Sequence, residues 1–255
     1  MSAMSGDQAG YYLGLAREDY YTKGGEPPGT WLGSAAAALD LSGMVEDDQL
    51  YNLFKGLSPD GTRELVQIQQ HEGKQNHRPG WDLTFSAPKS VSVLWSQSAP
   101  EMRAKIQEAH LEAVRSALKY LEDSAGFTRR GQGGHVLEKA RLLFACFEHS
   151  TSRALDPQLH THALLMNIGV RPDGHTATLS SLSFFESKMA AGALYRAELA
   201  CQLERLGIQV ERRRSWFEVS GVPKDLVDFF SKRRAAIEAE IARRLRPSYC
   251  LRSHT

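Results

Sequence analysis

The stretch "FEHSTSRALDPQLHTHALLMN", residues 147–167, constrains the fold of this chain more than any other. "VLEKARLLFACFEH", closing at His149, and "LHTHALLMNIGV", opening at Leu159, both read as strands. The connection "STSRALDPQL" holds a helix-averse Asp156-Pro157 pair and can turn the chain back. On the second strand His160 and His162 are two positions apart, so both rings project from one face. His149 can then lie beside them. Three neutral imidazoles converging from adjacent strands make a facial metal site with open positions. A His-x-His pair alone is as readily a coincidence on a wet strand face. The third histidine, at the end of the neighbouring strand, tips the balance to a site. Imidazole softness suits Zn, Cu or Ni, while a phosphate substrate favours Mg or Mn.

The remaining elements are mixed. "WDLTFS" alternates, with Trp81, Leu83 and Phe85 on an apolar face and Asp82, Thr84 and Ser86 on a polar one. "SAAAALDL" suits a short helix ended by Gly43, and "EDDQLYNLFKGL" a helix stopped by the turn "SPDG". Ser98 and Glu101 have capping-box spacing, ahead of a long amphipathic helix marked by Met102, Ile106, Ala109, Ala113, Ala117 and Leu121. "RPDG" is a turn, residues 186–206 form an alanine-rich helix that Gly207 terminates, and "GIQVERRRSWFEVSG" suggests a hairpin. "KDLVDFFSKRRAAIEAEIARRL" is helical and strongly charged. Strands joined by hairpins as well as helices predict an α+β fold with a largely antiparallel sheet.

A chain of 255 residues can bury a sizeable core. Its formal charge of +1 excludes a globally basic nucleic-acid binder, so any such site is a local patch. Cys146, Cys201 and Cys250 have neither metal nor disulfide spacing, which favours a reducing, intracellular compartment. No apolar run is long enough to span a membrane, and the first residues lack the form of a signal peptide. The last ten residues, "RPSYCLRSHT", have no period and read as a disordered or appended tail on a domain ending at about residue 245.

Two tyrosine pairs, Tyr11-Tyr12 and Tyr20-Tyr21, lie in "GYYLGLAREDYYTK". One such pair is more often core than chemistry. A phenol has a pKa of about 10 and needs a base or a cation to become a nucleophile. A three-histidine metal binding two non-bridging oxygens of a phosphodiester makes phosphorus a better electrophile. Asp82 is either a solvated carboxylate or the partner of a ligand histidine or of a tyrosine proton. Tyrosine, metal and carboxylate together suit opening a phosphodiester through a phosphotyrosine.

The motifs "YYLGLAREDYY", "HRPGWDLTFSAPKSVSVLW", "TRRGQGGH" and "HSTSRALDPQLHTHALLMN" stand in one order. The chain resembles the relaxase domain of MobF-class conjugative relaxases, the TrwC/TraI-like family of the HUH endonuclease superfamily, over residues from about 9 to 240. The resemblance implies a palm-like antiparallel sheet flanked by helices. It implies site- and strand-specific nicking of a plasmid transfer origin, through a 5′-phosphotyrosine, in the bacterial cytoplasm. Carried onto this sequence, Tyr11 is the first nucleophile, Tyr20 acts in a second cleavage, and Tyr12 and Tyr21 support them. His149, His160 and His162 hold one divalent ion, and Asp82 orients a histidine or assists a tyrosine. Accessory relaxosome proteins and a coupling protein are the implied partners, beside single-stranded origin DNA. Two departures stand out. "MSAMSGDQAG" is too short and polar for the central strand the family places before its first tyrosines. The family usually continues past residue 245 into helices that close over DNA, and often into a helicase.

Arg78, Lys89, Arg129, Arg130 and Arg153 are candidate phosphate contacts, and Trp81 and Trp95 candidate stacking partners. "TRRGQGG" suits a mobile basic loop or an ordinary solvated hairpin equally. Three rival readings compete: a rolling-circle replication initiator with the same chemistry, a single-strand binder without turnover, and a hydrolase using metal-bound water.

Overall fold

The computed structural model describes residues 1–5, 27–67, 69–71 and 74–245 of the chain. The elements run β1 (Ser2–Ala3), β2 (Thr30–Leu32), α1 (Ala35–Ala38), α2 (Asp47–Phe54), β3 (Gln69–His71), β4 (Lys74–Asn76), β5 (Gly80–Ser86), α3 (Lys89–Gln97) and α4 (Pro100–Ala125). They continue through β6 (Phe127–Arg130), β7 (Val136–Lys139), β8 (Phe144–Thr151), β9 (Pro157–Met166), β10 (Gly169–Val170), β11 (Thr176–Ala177) and α5 (Ser181–Arg205). The hairpin β12 (Val210–Arg212) and β13 (Phe217–Val219) leads to α6 (Lys224–Phe229) and α7 (Lys232–Leu245).

The central sheet has the order β1-β5-β9-β8-β2, with every neighbouring pair antiparallel. The α+β palm expected from the sequence is thus present. The five-residue connection between β8 and β9 is too short for a crossover helix, so the two strands can only pair antiparallel. A register shift between His149 and Thr151 bends the end of β8.

Strand alternation divides the sheet into two unlike faces. On one, Trp81, Leu83 and Phe85 of β5 join Phe144, Cys146, Leu159, Ala163 and Leu165 in a core with α4 and α5. Ile106, Ala113, Ala117 and Leu121 supply the α4 stripe, as its periodicity predicts. Trp81 is 1% exposed and packs on Phe184, so it is core and not a base-stacking platform. On the other face Met4, Trp31, Ala145, Phe147, Leu164 and Met166 pack under α1 and α2. Among the described residues this second cover reaches no further than Phe147, and the sheet beyond it carries the histidines.

Several sequence expectations need correction. The start of "MSAMSGDQAG" gives no central strand but a two-residue one at the end of the described sheet order: Ser2 and Ala3 pair with Asp82 and Trp81, and the Met4 amide donates to the Gly80 carbonyl at 3.0 Å. So short a strand needs only backbone partners, and side-chain polarity does not bar it. The Ser98–Glu101 capping box does not form. Ser98 ends α3 and its hydroxyl donates to the Leu94 carbonyl at 2.7 Å, while Pro100, lacking an N–H, opens α4. "VLEKARLLFACFEH" is two strands, because Arg141 leaves β7 to exchange backbone hydrogen bonds with Val170. "LHTHALLMNIGV" breaks after Met166, where the Asn167 side chain donates to the Arg78 carbonyl and accepts from the Leu179 amide. α1 stops well before Gly43, with Asp40 at φ 56°. α5 begins at Ser181, five residues early, and the charged C-terminal helix divides at Phe230–Ser231.

Gly207 does end α5. At φ 80° its amide donates to Glu204 and the Ile208 amide to Leu203, the paired bonds of a Schellman turn. "TRRGQGG" lies in the ordered β6–β7 hairpin. That hairpin sits at the end of the sheet away from the histidines, since Thr128 bridges Leu179 and Arg141 bridges Val170.

Candidate active site

The histidines are placed by strand register. His149 on β8 stands directly opposite His160 on β9, and Ser86 of β5 completes that row. The next row on the same face is Phe147, His162 and Thr84, and the one after it Ala145, Leu164 and Asp82. Ring centroids are 5.2 Å apart for His149–His160, 5.3 Å for His149–His162 and 5.2 Å for His160–His162. Three nearly equal separations describe imidazoles gathered about one point. Among the described residues no three His, Cys, Asp or Glu side chains are already drawn in as a finished metal site.

Each β9 histidine has its Nδ1 engaged. That of His162 lies 2.8 Å from Asp82 Oδ2, and that of His160 lies 2.9 Å from the Gln158 carbonyl. Since the carbonyl can only accept and the carboxylate does so when ionised, Nδ1–H is the donor in both, which makes Nε2 the ring nitrogen that carries the lone pair. Asp82 is 7% exposed, not the solvated carboxylate its polar strand face allowed for. The short β1 strand covers it on one side, opposite Ser2. Burial, then the neighbouring His160 and His162, hold the His149 ring at a pKa of about 4 against the attraction of Asp82. Burial likewise lowers His160, opposed by its bond to the Gln158 carbonyl and aided by His162 and Arg233. His149 and His160 are therefore neutral at physiological pH, the state in which imidazole binds a cation.

The rings open into a cleft of about 460 Å³. Thr84, Ser86, Thr151, Ser152, Arg153, Leu155, Gln158 and Arg233 line it with the histidines. Arg233 comes from α7, and no sequence signal pointed to it: it is one arginine among several on a charged helix. Of the five candidate phosphate contacts only Arg153 lines this cleft. Lys89 turns inward, its ammonium donating to the Pro157 carbonyl at 2.9 Å. Arg130 is held by Glu138 at 3.1 Å and Asp173 at 3.2 Å. Arg129 is exposed on the same hairpin, and Arg78 is exposed ahead of β5. Trp95 is half-buried, with the Arg103 guanidinium 5.6 Å from its ring. Tyr11, Tyr12, Tyr20 and Tyr21 lie outside the described residues.

Fold and site define a class: an antiparallel palm with one helix-covered face and an imidazole-bearing cleft on the other. The TrwC relaxase family matches residues 5–253. The multifunctional conjugation protein TraI of Escherichia coli is 37% identical over 253 residues, which take in 93% of this chain and 13% of TraI. A copper-bound structure of the conjugative relaxase TrwC with oriT DNA superposes with a TM-score of 0.82 at 33% identity, covering 97% of this chain and 85% of that one. A metal-bound TrwC–oriT DNA complex gives 0.80 at 32%, covering 98% and 82%. The chain belongs to the TrwC relaxase family. It spans 13% of the length of TraI.

Proposed function

We propose that this chain is the nicking domain of a conjugative relaxase. It cuts one strand of a plasmid transfer origin by transesterification and holds the 5′ end as a phosphotyrosine. The observation that carries this is the convergence of His149, His160 and His162 on the open face of a relaxase-family palm, with Asp82 bonded behind His162. One relative, TrwC, was solved twice with oriT DNA and a bound metal.

The triad fits one divalent ion. An ion about 2.0–2.1 Å from each Nε2 lies about 3.2 Å from each ring centre, and tetrahedral directions then put the centres about 5.2 Å apart. The observed separations agree with that spacing. When bound, the ion supplies positive charge against the non-bridging oxygens of the scissile phosphate. Asp82 keeps His162 in the Nδ1–H tautomer, and the Gln158 carbonyl does so for His160. Mg or Mn suits the phosphate chemistry, and the softer Zn, Ni or Cu suits the imidazoles.

Tyr11 is the proposed first nucleophile and Tyr20 the second, with Tyr12 and Tyr21 as their supporting neighbours. The phenolate oxygen bonds to phosphorus, the P–O3′ bond breaks, and the 3′ oxygen takes up a proton. Chain length supports the assignment. Tyr11 follows Met4 by seven positions, and Tyr20 precedes Pro27 by seven. Seven extended residues reach about 23–25 Å. From Met4, beside Gly80, the His162 row lies about 14 Å along β5 and about 10 Å across two strands, or about 17 Å in all. Arg153 is the proposed cleft contact to phosphate, and Arg78, Lys89, Arg129 and Arg130 are further backbone contacts, Lys89 and Arg130 only on release from their present partners. Relaxosome accessory proteins, a coupling protein and a bacterial cytoplasmic setting complete the proposal. Among the described residues no helix is long and apolar enough to cross a membrane.

The test is a denaturing gel of the chain with labelled single-stranded transfer-origin DNA and Mg²⁺. A labelled band at the protein's mobility, absent in EDTA, is expected. Cleavage with no protein-linked label would favour a metal-water hydrolase, and binding without cleavage a turnover-free binder. Preference for a replication origin would favour the initiator.

A further inference from the structure

Among the described residues the cleft lining holds two guanidinium groups, Arg153 and Arg233, and no Asp or Glu. Asp82, behind the histidines on the same face, is engaged by His162. Two cationic side chains facing one cleft, with no carboxylate among the described lining residues, suit it to an anion.

Arg233 differs from Arg234 and Arg243 on the same helix. Arg234 binds Glu238 at 2.8 Å and Arg243 binds Glu240 at 2.8 Å. Among the described residues Arg233 has no hydrogen bond or ion pair, and it is the α7 arginine that lines the cleft. Its position is fixed from below by the β8–β9 tip. The Lys232 amide donates to Asp156 Oδ2 at 2.9 Å, and the Lys232 ammonium lies 3.6 Å from Oδ1. Asp156 is 1% exposed. Its own backbone is locked, since its carbonyl accepts from the Ser152 amide at 2.9 Å and its amide donates to the Ser152 hydroxyl at 3.3 Å. The tip that follows His149 by seven positions therefore also anchors the first turn of a helix 76 residues further on.

We propose that Arg233 is a phosphate ligand of the cleft, binding a non-bridging oxygen of the DNA strand there, and that Asp156 is the positioning residue that holds it in place through Lys232. This rests on the reading that the cleft takes a phosphodiester strand. Helix α7 is then part of the site and not merely part of the surface.

The experiment pairs protein variants with altered substrates. The probe is a short single-stranded oligonucleotide selected for binding to the wild-type chain, with each phosphate near the cut replaced in turn by an uncharged methylphosphonate. Arg233→Ala should weaken binding of the unmodified strand about tenfold to a hundredfold. It should also flatten the salt dependence by about 0.7 in the log–log slope. At one phosphate the methylphosphonate penalty seen with wild type should vanish in Arg233→Ala. Asp156→Ala should lose the same interaction, and the double variant should lose nothing more. Exposure of Arg233 makes its variants safe for folding, and Arg233→Lys should recover part of the loss. Equal methylphosphonate penalties in wild type and Arg233→Ala at every position would overturn the assignment. A loss for Asp156→Ala that adds to that of Arg233→Ala would remove Asp156's positioning role. A wild-type chain that bound no single strand would overturn the functional reading itself, and this inference with it.

Discussion

Residues 160–162 of β9 present the two faces of the sheet side by side. Thr161 points into the helix-covered core, where its hydroxyl meets His110 Nε2 at 2.8 Å while Tyr195 meets His110 Nδ1 at 2.8 Å. His160 and His162 point the other way, into the cleft. His110 is fully buried and has both nitrogens satisfied by hydroxyls. The β9 histidines give Nδ1 to fixed acceptors, the Gln158 carbonyl and Asp82. Identical side chains thus serve opposite ends. One cements α4, α5 and β9 together, and the others turn their rings into the cleft. What separates them is which hydrogen-bonding groups reach the second nitrogen, and that depends on tertiary packing.

The comparison breaks most sharply through the cleft histidines. His160→Ala or His162→Ala should lower covalent adduct formation roughly a thousandfold or more, because several kcal/mol of charge stabilisation go with the ion. Thermal unfolding without metal should barely move, since both side chains are only partly buried. Adduct formation at wild-type rate in either variant would sink the division of labour.

His110→Ala should do the reverse. A buried ring is lost and two buried hydroxyls lose their partner, which should cost about 2–4 kcal/mol in denaturant unfolding. Nicking per folded molecule should stay within a few-fold of wild type. A stable but inactive His110→Ala would show that the core face also tunes the cleft.

Asp82→Asn keeps the shape but loses the charge that holds His162 in one tautomer. Metal affinity should fall about tenfold to a hundredfold, read by titration calorimetry. Partial rescue of nicking at higher pH with unchanged metal affinity would instead assign Asp82 to the tyrosine proton.

Acid gives the mildest handle. Burial, together with the neighbouring His160, holds His110 at a pKa of about 3, and His149 sits at about 4, both below the ordinary 6.5. The unfolded chain therefore takes up these protons first as pH drops below 6.5. Stability present at neutral pH is lost on descending toward the folded values. Each ring should contribute about 1–2 kcal/mol of loss between pH 7 and 5. Replacing His110 by a residue that does not titrate should flatten that slope by one proton.

Much of this was legible in the sequence because it rests on local periodicity. The two-residue spacing of His160 and His162 fixed their common face, the β5 alternation separated Trp81 from Asp82, and the α4 stripe named the helix core. The remainder depends on contacts distant in sequence. Asp82 is buried with Ser2 paired beside it, and a two-residue strand leaves no pattern. Ser98 had the spacing of a cap but was already committed to ending α3. Lys89 carries a charge that suggests DNA, yet the Pro157 carbonyl draws it inward. Arg233 lines the cleft from a helix whose first turn Asp156 holds through the amide of Lys232.

The most direct test of the central claim is calorimetric titration of a divalent ion such as Mn²⁺ or Ni²⁺ into the wild-type chain and its histidine variants. One ion per chain should bind the wild type and the His110 variant alike. Binding should be lost when His149, His160 or His162 is replaced by alanine. Undiminished one-to-one binding after both His160 and His162 are removed would contradict the account.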